Sequence, residues 1–297
     1  MGRVKVPLSV SELRSRGAAF RDLHNGPEPF VIPNPWNAGT ALILAGLGFP
    51  ALATTSAGLA VTLGLPDGAG LLDRDMVLAN AREIVAATPL PVSADLESGF
   101  AGTPEGVAET IRAAADAGLV GGSVEDATGR PGDPVRPLAE AVDRVAAAVE
   151  AARGLPFPFT VTARAENFLY GRPDLDDTIR RLRAYEEAGA DVLYAPGLPS
   201  AEAVRAVCTS VGRPVNVLAG SGQPTLDVAA LAACGVRRIS LGSTLSRAAL
   251  GGFVRAAREV LDHGAFGFVE EAPAYADVNR WMTRPPVPRL PDTDARK

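Results

Sequence analysis

The chain has 297 residues, 47% of them hydrophobic and 21% charged, with a formal net charge of −5. That is apolar material for a large core in one α/β domain, and an acidic excess without a basic stripe excludes nucleic acid as a partner. Two cysteines, Cys208 and Cys234, neither in a C-x-x-C, exclude a disulfide framework or a zinc site and fit a reducing, cytoplasmic setting.

In chain order, the N-terminal stretch MGRVKVPLSVSELRSRG lacks the apolar core of a signal peptide, and residues 1–28 read as a helical segment lying on the body that follows. From Pro29 to Pro66 no residue is charged, but Pro33, Asn34, Pro35, Asn37 and Pro50 interrupt the run. It reads as two buried strands around a helix, not a membrane span. Candidate strands then follow in series: FVIPNPW, ALATTSA, PVSADLES, GGSVEDA, FTVTARAENF, DVLYAPG, PVNVLAG and RRISLGS. Helical patterns such as DRDMVLANAREIVAAT, TPEGVAETIRAAADAG and DDTIRRLRAYEEAGA lie between them. Eight strands alternating with helices call for a parallel sheet. Gly48, Gly118, Gly189 and Gly235 each close a helix just before a strand, at positions suited to a left-handed residue. This recurrence favours a closed (β/α)8 barrel of the TIM type over an open doubly wound sheet. GLGFPA matches a dinucleotide fingerprint in letters only, because it follows a helix and precedes a strand. Residues 265–297 read as a C-terminal helix, FVEEAPAYADVNRWM, and a proline-rich tail, so that 1–297 is a single barrel domain.

Asp95 and Glu97 are two residues apart in SADLESGF, and alternate residues of a strand share a face. With Ala94 and Leu96 on the helix side, both carboxylates point inward at the C-terminal end of the third strand, where barrel enzymes place catalysis. Two inward carboxylates repel unless a cation sits between them, and oxygen-only donors suit a hard ion, Mg2+ first. The fourth strand ends SVEDA, placing Glu125 at the corresponding level, and the loop GLPDG adds Asp67. The fifth strand puts Thr160, Thr162 and Arg164 on one face, and the Arg164 guanidinium matches a carboxylate. The seventh strand contributes Asn216. A cation, an arginine and an amide at one rim suit a small, anionic, oxygen-rich substrate. His24 and His263 fall outside that rim and read as surface or packing residues. GSGQPT and LGSTLS would suit a barrel phosphate site and ordinary turns equally. Lys5 and Lys297 are the only lysines, both terminal, so no strand can supply a Schiff-base lysine.

The stretches TTSAG…LGLPDG, SADLESGFAG, SVEDATG, TARAENF and NVLAGSG, spread between about Phe30 and Trp281, resemble the isocitrate lyase/phosphoenolpyruvate mutase superfamily. The resemblance implies a (β/α)8 barrel whose last helix is swapped between subunits, assembled as a homotetramer of helix-swapped dimers. It implies Mg2+ (or Mn2+) and a 2-oxo or enolate acid as ligands. By resemblance, Asp95 is the direct metal ligand, Glu97 and Glu125 act through water, and Asp67 helps hold the metal or meets the reacting group. The Thr55, Ser56 and Ala57 backbone cradles the substrate's carboxylate end, Arg164 is the substrate arginine, and Asn216 lies in the region of the second anionic group.

One departure is large. Lyases of that family carry a K-[KR]-C-G-H loop after the fourth strand, and the mutases and phosphonopyruvate hydrolases a lysine-containing one. Here the segment reads EDATGRPGDPVRPL, without Cys, Lys or His, leaving Arg130 and Arg136 as its candidate cations. The expectation is a Mg2+-dependent lyase that cleaves a C–C bond of a small 2-oxo or 2-hydroxy (di)carboxylic acid through a metal-stabilised enolate. The alternatives are P–C chemistry on a phosphonate such as phosphonopyruvate, and a non-catalytic 2-oxo acid binder.

Overall fold

The computed structural model describes residues 8–220 and 226–283. Its centre is a parallel sheet of eight short strands: β1 (Phe30–Ile32), β2 (Leu52–Ala53), β3 (Val92–Asp95), β4 (Gly121–Glu125), β5 (Thr160–Arg164), β6 (Val192–Tyr194), β7 (Val215–Leu218) and β8 (Arg238–Ser240). The order β1-β8-β7-β6-β5-β4-β3-β2 leaves one seam, between β1 and β2. The Ala53 amide closes it on the Pro33 carbonyl at 3.1 Å, and Asn34 donates across it to the Thr54 carbonyl at 2.9 Å. The sheet is therefore a barrel. The first two strands are shorter than their apolar runs, because Pro33 ends β1 and Thr55 caps a helix that starts at Ser56.

Helices wrap the strands. α1 (Val10–Asn25) precedes the barrel. The others are α2 (Ala38–Gly46), α3 (Ser56–Thr62), α4 (Arg74–Ala87), α5 (Pro104–Asp116), α6 (Leu138–Arg153), α7 (Leu175–Glu187), α8 (Ala201–Ser210), α9 (Val228–Ala233), α10 (Thr244–His263) and α11 (Tyr275–Met282). Most start on a side-chain cap: Asn37, Thr55, Asp73, Thr103, Asp174, Ser200 and Asp227 each accept a first-turn amide. The four recurring glycines take φ between +90° and +96°, one step past the cap residues of their helices, as their spacing before a strand requires. GLGFPA spans the end of α2 and the approach to β2, so no nucleotide fingerprint exists there. The core lies between strands and helices, around Leu52, Leu96, Ile111, Leu119, Leu182 and Leu193.

α1 closes the N-terminal end of the barrel. Its Phe20 is fully buried, and Gly121 leaves room for the ring, since a Cβ there would stand 2.8 Å from Phe20 Cε1. His24, 4% exposed, stacks edge-on between Phe20 and Phe30, and burial pushes its imidazole down to about 3; it packs and has no role at the rim. Gly17 meets the barrel so closely that a Cβ would lie 2.2 Å from the Pro158 carbonyl oxygen. Gly17→Ala therefore lifts the helix, and we expect a loss of about 1–3 kcal/mol, read as a lower urea midpoint, with the opposite rim unaffected.

The C-terminal segment differs from expectation. Instead of one appended helix it forms a 3-10 turn, Gly267–Glu270, and the separate α11, because Pro273 interrupts the run. Before it, α10 carries a strongly apolar side, yet only Ser246 of its residues is buried, while Phe253 and Leu261 are 71% and 83% exposed. Among the described residues no helix is long and apolar enough to cross a membrane.

Candidate active site

The C-terminal ends of the strands open into a cavity of about 480 Å3. Asp67, Asp95, Glu97, Glu125 and Arg164 all line it, so the residues expected at one rim come together. A deeper chamber of about 230 Å3 shares Ser56, Asp95 and Arg164 with it and adds Thr55, Ala57 and Asn216.

Arg164 is the hub. From the end of β5 its Nη1 reaches Asp95 at 3.1 Å and Glu125 at 3.2 Å, and its Nε donates to Glu166 at 2.8 Å. The guanidinium also lies 4.9 Å above the Tyr194 ring. Parallel register explains the fan: Glu125 pairs directly with Arg164, whereas Asp95 pairs with Ser123. Glu125 therefore stands one pleat beyond Asp95, not at its level. Glu97 lies past the end of β3, in a turn with φ of +47°. Strand alternation does not place it; the left-handed turn does, and that turn returns the side chain to the same cavity.

Asp95 accepts from the Ser56 hydroxyl at 2.9 Å, and its amide donates to Thr54 Oγ1 at 3.1 Å. Ser56 is thus already engaged with the acid. Thr55 spends its own hydroxyl as the cap of α3, accepting from Gly58 at 3.2 Å. Asn216 donates to Ser240 at 3.0 Å, while its buried Oδ1 has no partner among the described residues.

Five carboxylates and a single guanidinium line the larger cavity. Burial and then the Asp95 and Asp67 charges raise the Glu97 carboxyl to about 7. Burial and then Asp95 raise Asp67, and burial raises Glu125 well above the usual range against the pull of Arg164. Among the described residues no three acid, imidazole or thiol groups form a ready cage for an ion. The donor set nevertheless fits a hard divalent cation. It is all oxygen and carries uncompensated negative charge, and an ion such as Mg2+ keeps several of its waters rather than demanding an all-protein cage.

The sequence reading missed a second network. Asp126, 3% exposed, accepts from the Glu166 amide at 2.8 Å, from Arg181 Nη1 at 3.1 Å and from the Tyr185 hydroxyl at 2.6 Å. It fastens the end of β5 to α7 and thereby places Glu166. Glu166 stands two residues after Arg164, just past the end of β5, as Glu97 stands two residues after Asp95, just past β3; Arg181 and Tyr185, four apart on α7, share a helix face. Neither loop arginine supplies the missing cation. Arg130 pairs with Asp133 at 2.9 Å on the surface, Arg136 is tied to Glu140 in α6, and neither lines the cavity. GSGQPT falls largely outside the described residues, and LGSTLS leads into α10, held by two amides that donate to Asn34 Oδ1 at 2.9 and 2.8 Å.

The chain is similar to known proteins in sequence and in fold. The family model for phosphoenolpyruvate phosphomutase matches residues 20–261. The chain is 32% identical over 210 residues to 2-methylisocitrate lyase of Escherichia coli (strain K12), covering 68% of this chain and 69% of that one. A solved structure from Burkholderia cenocepacia J2315, placed in the lyase/mutase class without an established activity, is 56% identical with a TM-score of 0.90, over 93% of this chain and 98% of that one. Oxaloacetate acetylhydrolase in complex with the product oxalate is 26% identical with a TM-score of 0.81, over 90% and 94%.

Proposed function

The chain belongs to the isocitrate lyase/phosphoenolpyruvate mutase superfamily of carbon–carbon lyases and mutases, and from that premise we propose that it is a divalent-metal-dependent lyase. Its substrate is a small 2-oxo or 2-hydroxy (di)carboxylic acid, cleaved at a C–C bond with an enolate as the departing fragment. The supporting observation is the single cavity in which five carboxylates surround Arg164 at the C-terminal rim. Asp95, with Glu97, Glu125 and Asp67, would hold the ion, and Mg2+ or Mn2+ would suit those oxygens. When bound, the ion neutralises negative charge that develops on a substrate oxygen.

The chain's own groups do the rest. Arg164 fixes Asp95 and Glu125 through Nη1 and leaves Nη2 outside those pairs, available to the substrate's carboxylate. The α3 start at Thr55, Ser56 and Ala57 and the Asn216 amide bound the deeper chamber, which takes the far end of a small acid. The Asn216 Oδ1 acceptor suits a hydroxyl or a protonated group there. The exposed apolar side of α10 supports a homo-oligomer of helix-swapped dimers, two such dimers forming the tetramer.

The test is a panel of 2-oxo diacids, 2-hydroxy diacids and phosphonates, with and without MgCl2, followed by NMR for pyruvate or glyoxylate. We expect one or more diacids to be cleaved only with the ion. Turnover confined to a phosphonate would assign P–C chemistry instead, and Mg2+-dependent binding with no turnover would make the chain a binder.

A further inference from the structure

Cleavage of a C–C bond that leaves an enolate requires a proton at carbon, and this inference rests on the lyase reading above. Among the described residues that line the larger cavity there is no Cys, Lys or His. Three aliphatic hydroxyls face it, from Ser56, Ser98 and Thr128. The Ser56 hydroxyl donates a hydrogen bond to Asp95, and the Thr128 hydroxyl donates one to the Asp133 carbonyl. Ser98 carries an aliphatic hydroxyl, a far weaker acid than a phenol. Tyr170 is the one phenol in that wall.

Its position is fixed by the loop after β5. The Tyr170 amide donates to the Glu166 carbonyl at 3.2 Å, Gly171 to Phe168 at 3.4 Å and Arg172 to Asn167 at 2.8 Å. Asn167 is itself anchored to Asp177 at 2.7 Å, and a Cβ at Gly197 would meet Phe168 at 3.2 Å, so the turn is braced from α7 and from the β6 side. Leu169, beside it, borders both chambers. Tyr170 is 41% exposed, so part of it meets solvent, and it lines the same cavity as the acids.

We propose that Tyr170 is the general acid of this site, delivering its phenolic proton to the enolate carbon. For a 2-hydroxy diacid, the hydroxyl proton leaves to solvent as the carbonyl forms, and the electron pair of the broken C–C bond stays with the enolate fragment. The tyrosine O–H bond then breaks, a C–H bond forms, and the tyrosinate regains a proton from water at its exposed edge. A phenol ordinarily titrates at about 10, so it carries its proton around neutrality.

Tyr170→Phe tests this, on whichever diacid the panel shows to be cleaved, with MgCl2 saturating. General acid–base groups contribute about 100-fold or more, so kcat should fall by at least about that factor with KM within about threefold. In D2O the wild type should exchange the newly formed C–H of the product, and the variant should lose that exchange while keeping the wild-type melting temperature. If the wild type cleaves a diacid and the variant keeps both kcat and exchange, Tyr170 is not the donor and the lyase reading stands. If the wild type cleaves none, the lyase reading fails and this assignment fails with it.

Discussion

Asp95→Asn is expected to remove divalent-ion uptake and turnover together while leaving the fold intact. The carboxamide keeps the shape and one acceptor oxygen for Ser56 or Arg164, so only the charge is lost. Arg164 retains Glu125 and Glu166 and is not left as an unpaired buried cation. One of five mutually repelling carboxylates has become neutral, so the ion-free variant should melt no lower than the wild type. Groups that merely orient metal ligands cost about 10–100-fold in affinity, so losing a direct ligand should weaken ion binding by at least about 100-fold. kcat should fall by about a thousandfold, the scale on which losing one charge-stabilising group acts. Titration calorimetry with MgCl2 and MnCl2, beside NMR turnover, measures both effects. Unchanged ion affinity in this variant would remove Asp95, and with it the carboxylate ring, from the metal assignment.

The barrel was legible because its signals are local. Period-two runs, capped helices and a glycine one step past several helix caps repeat along the chain, and each depends on neighbours in sequence. The rim was legible for a related reason: in a parallel barrel every strand end points the same way, so acids at the ends of β3 and β4 and an arginine at the end of β5 must share a mouth. What stayed hidden depends on distances that sequence does not carry. Register decided that Glu125 faces Arg164 while Asp95 faces Ser123. A left-handed residue, rare outside glycine, carried Glu97 into the cavity after the strand had ended. Asp126 is merely the residue after Glu125 in sequence, yet it is buried because α7 brings Arg181 and Tyr185 over it. The loop arginines were plausible cations until local partners, Asp133 and Glu140, claimed them.

Arg164→Lys is the variant in which fold and chemistry fail together. The guanidinium serves Glu166 through Nε and both Asp95 and Glu125 through Nη1, a planar fork held over Tyr194. An ammonium is a single point with the same charge; it can sit with one of these acids but cannot span all three. The orphaned carboxylates are buried, and breaking such pairs costs about 3–5 kcal/mol, so the ion-free variant should unfold at a clearly lower denaturant midpoint. If a divalent ion takes the same acids, as the metal assignment has it, it stabilises the native state by mass action, so saturating MgCl2 should raise the variant's melting temperature more than the wild type's and narrow the gap between them. Turnover should not return with stability, because the N–H group proposed to meet the substrate's carboxylate is gone, and kcat/KM should stay at least about 100-fold down. A melting gap that does not change with MgCl2 would mean that the ion and Arg164 do not share their carboxylates. The two would then have to be assigned to separate sites.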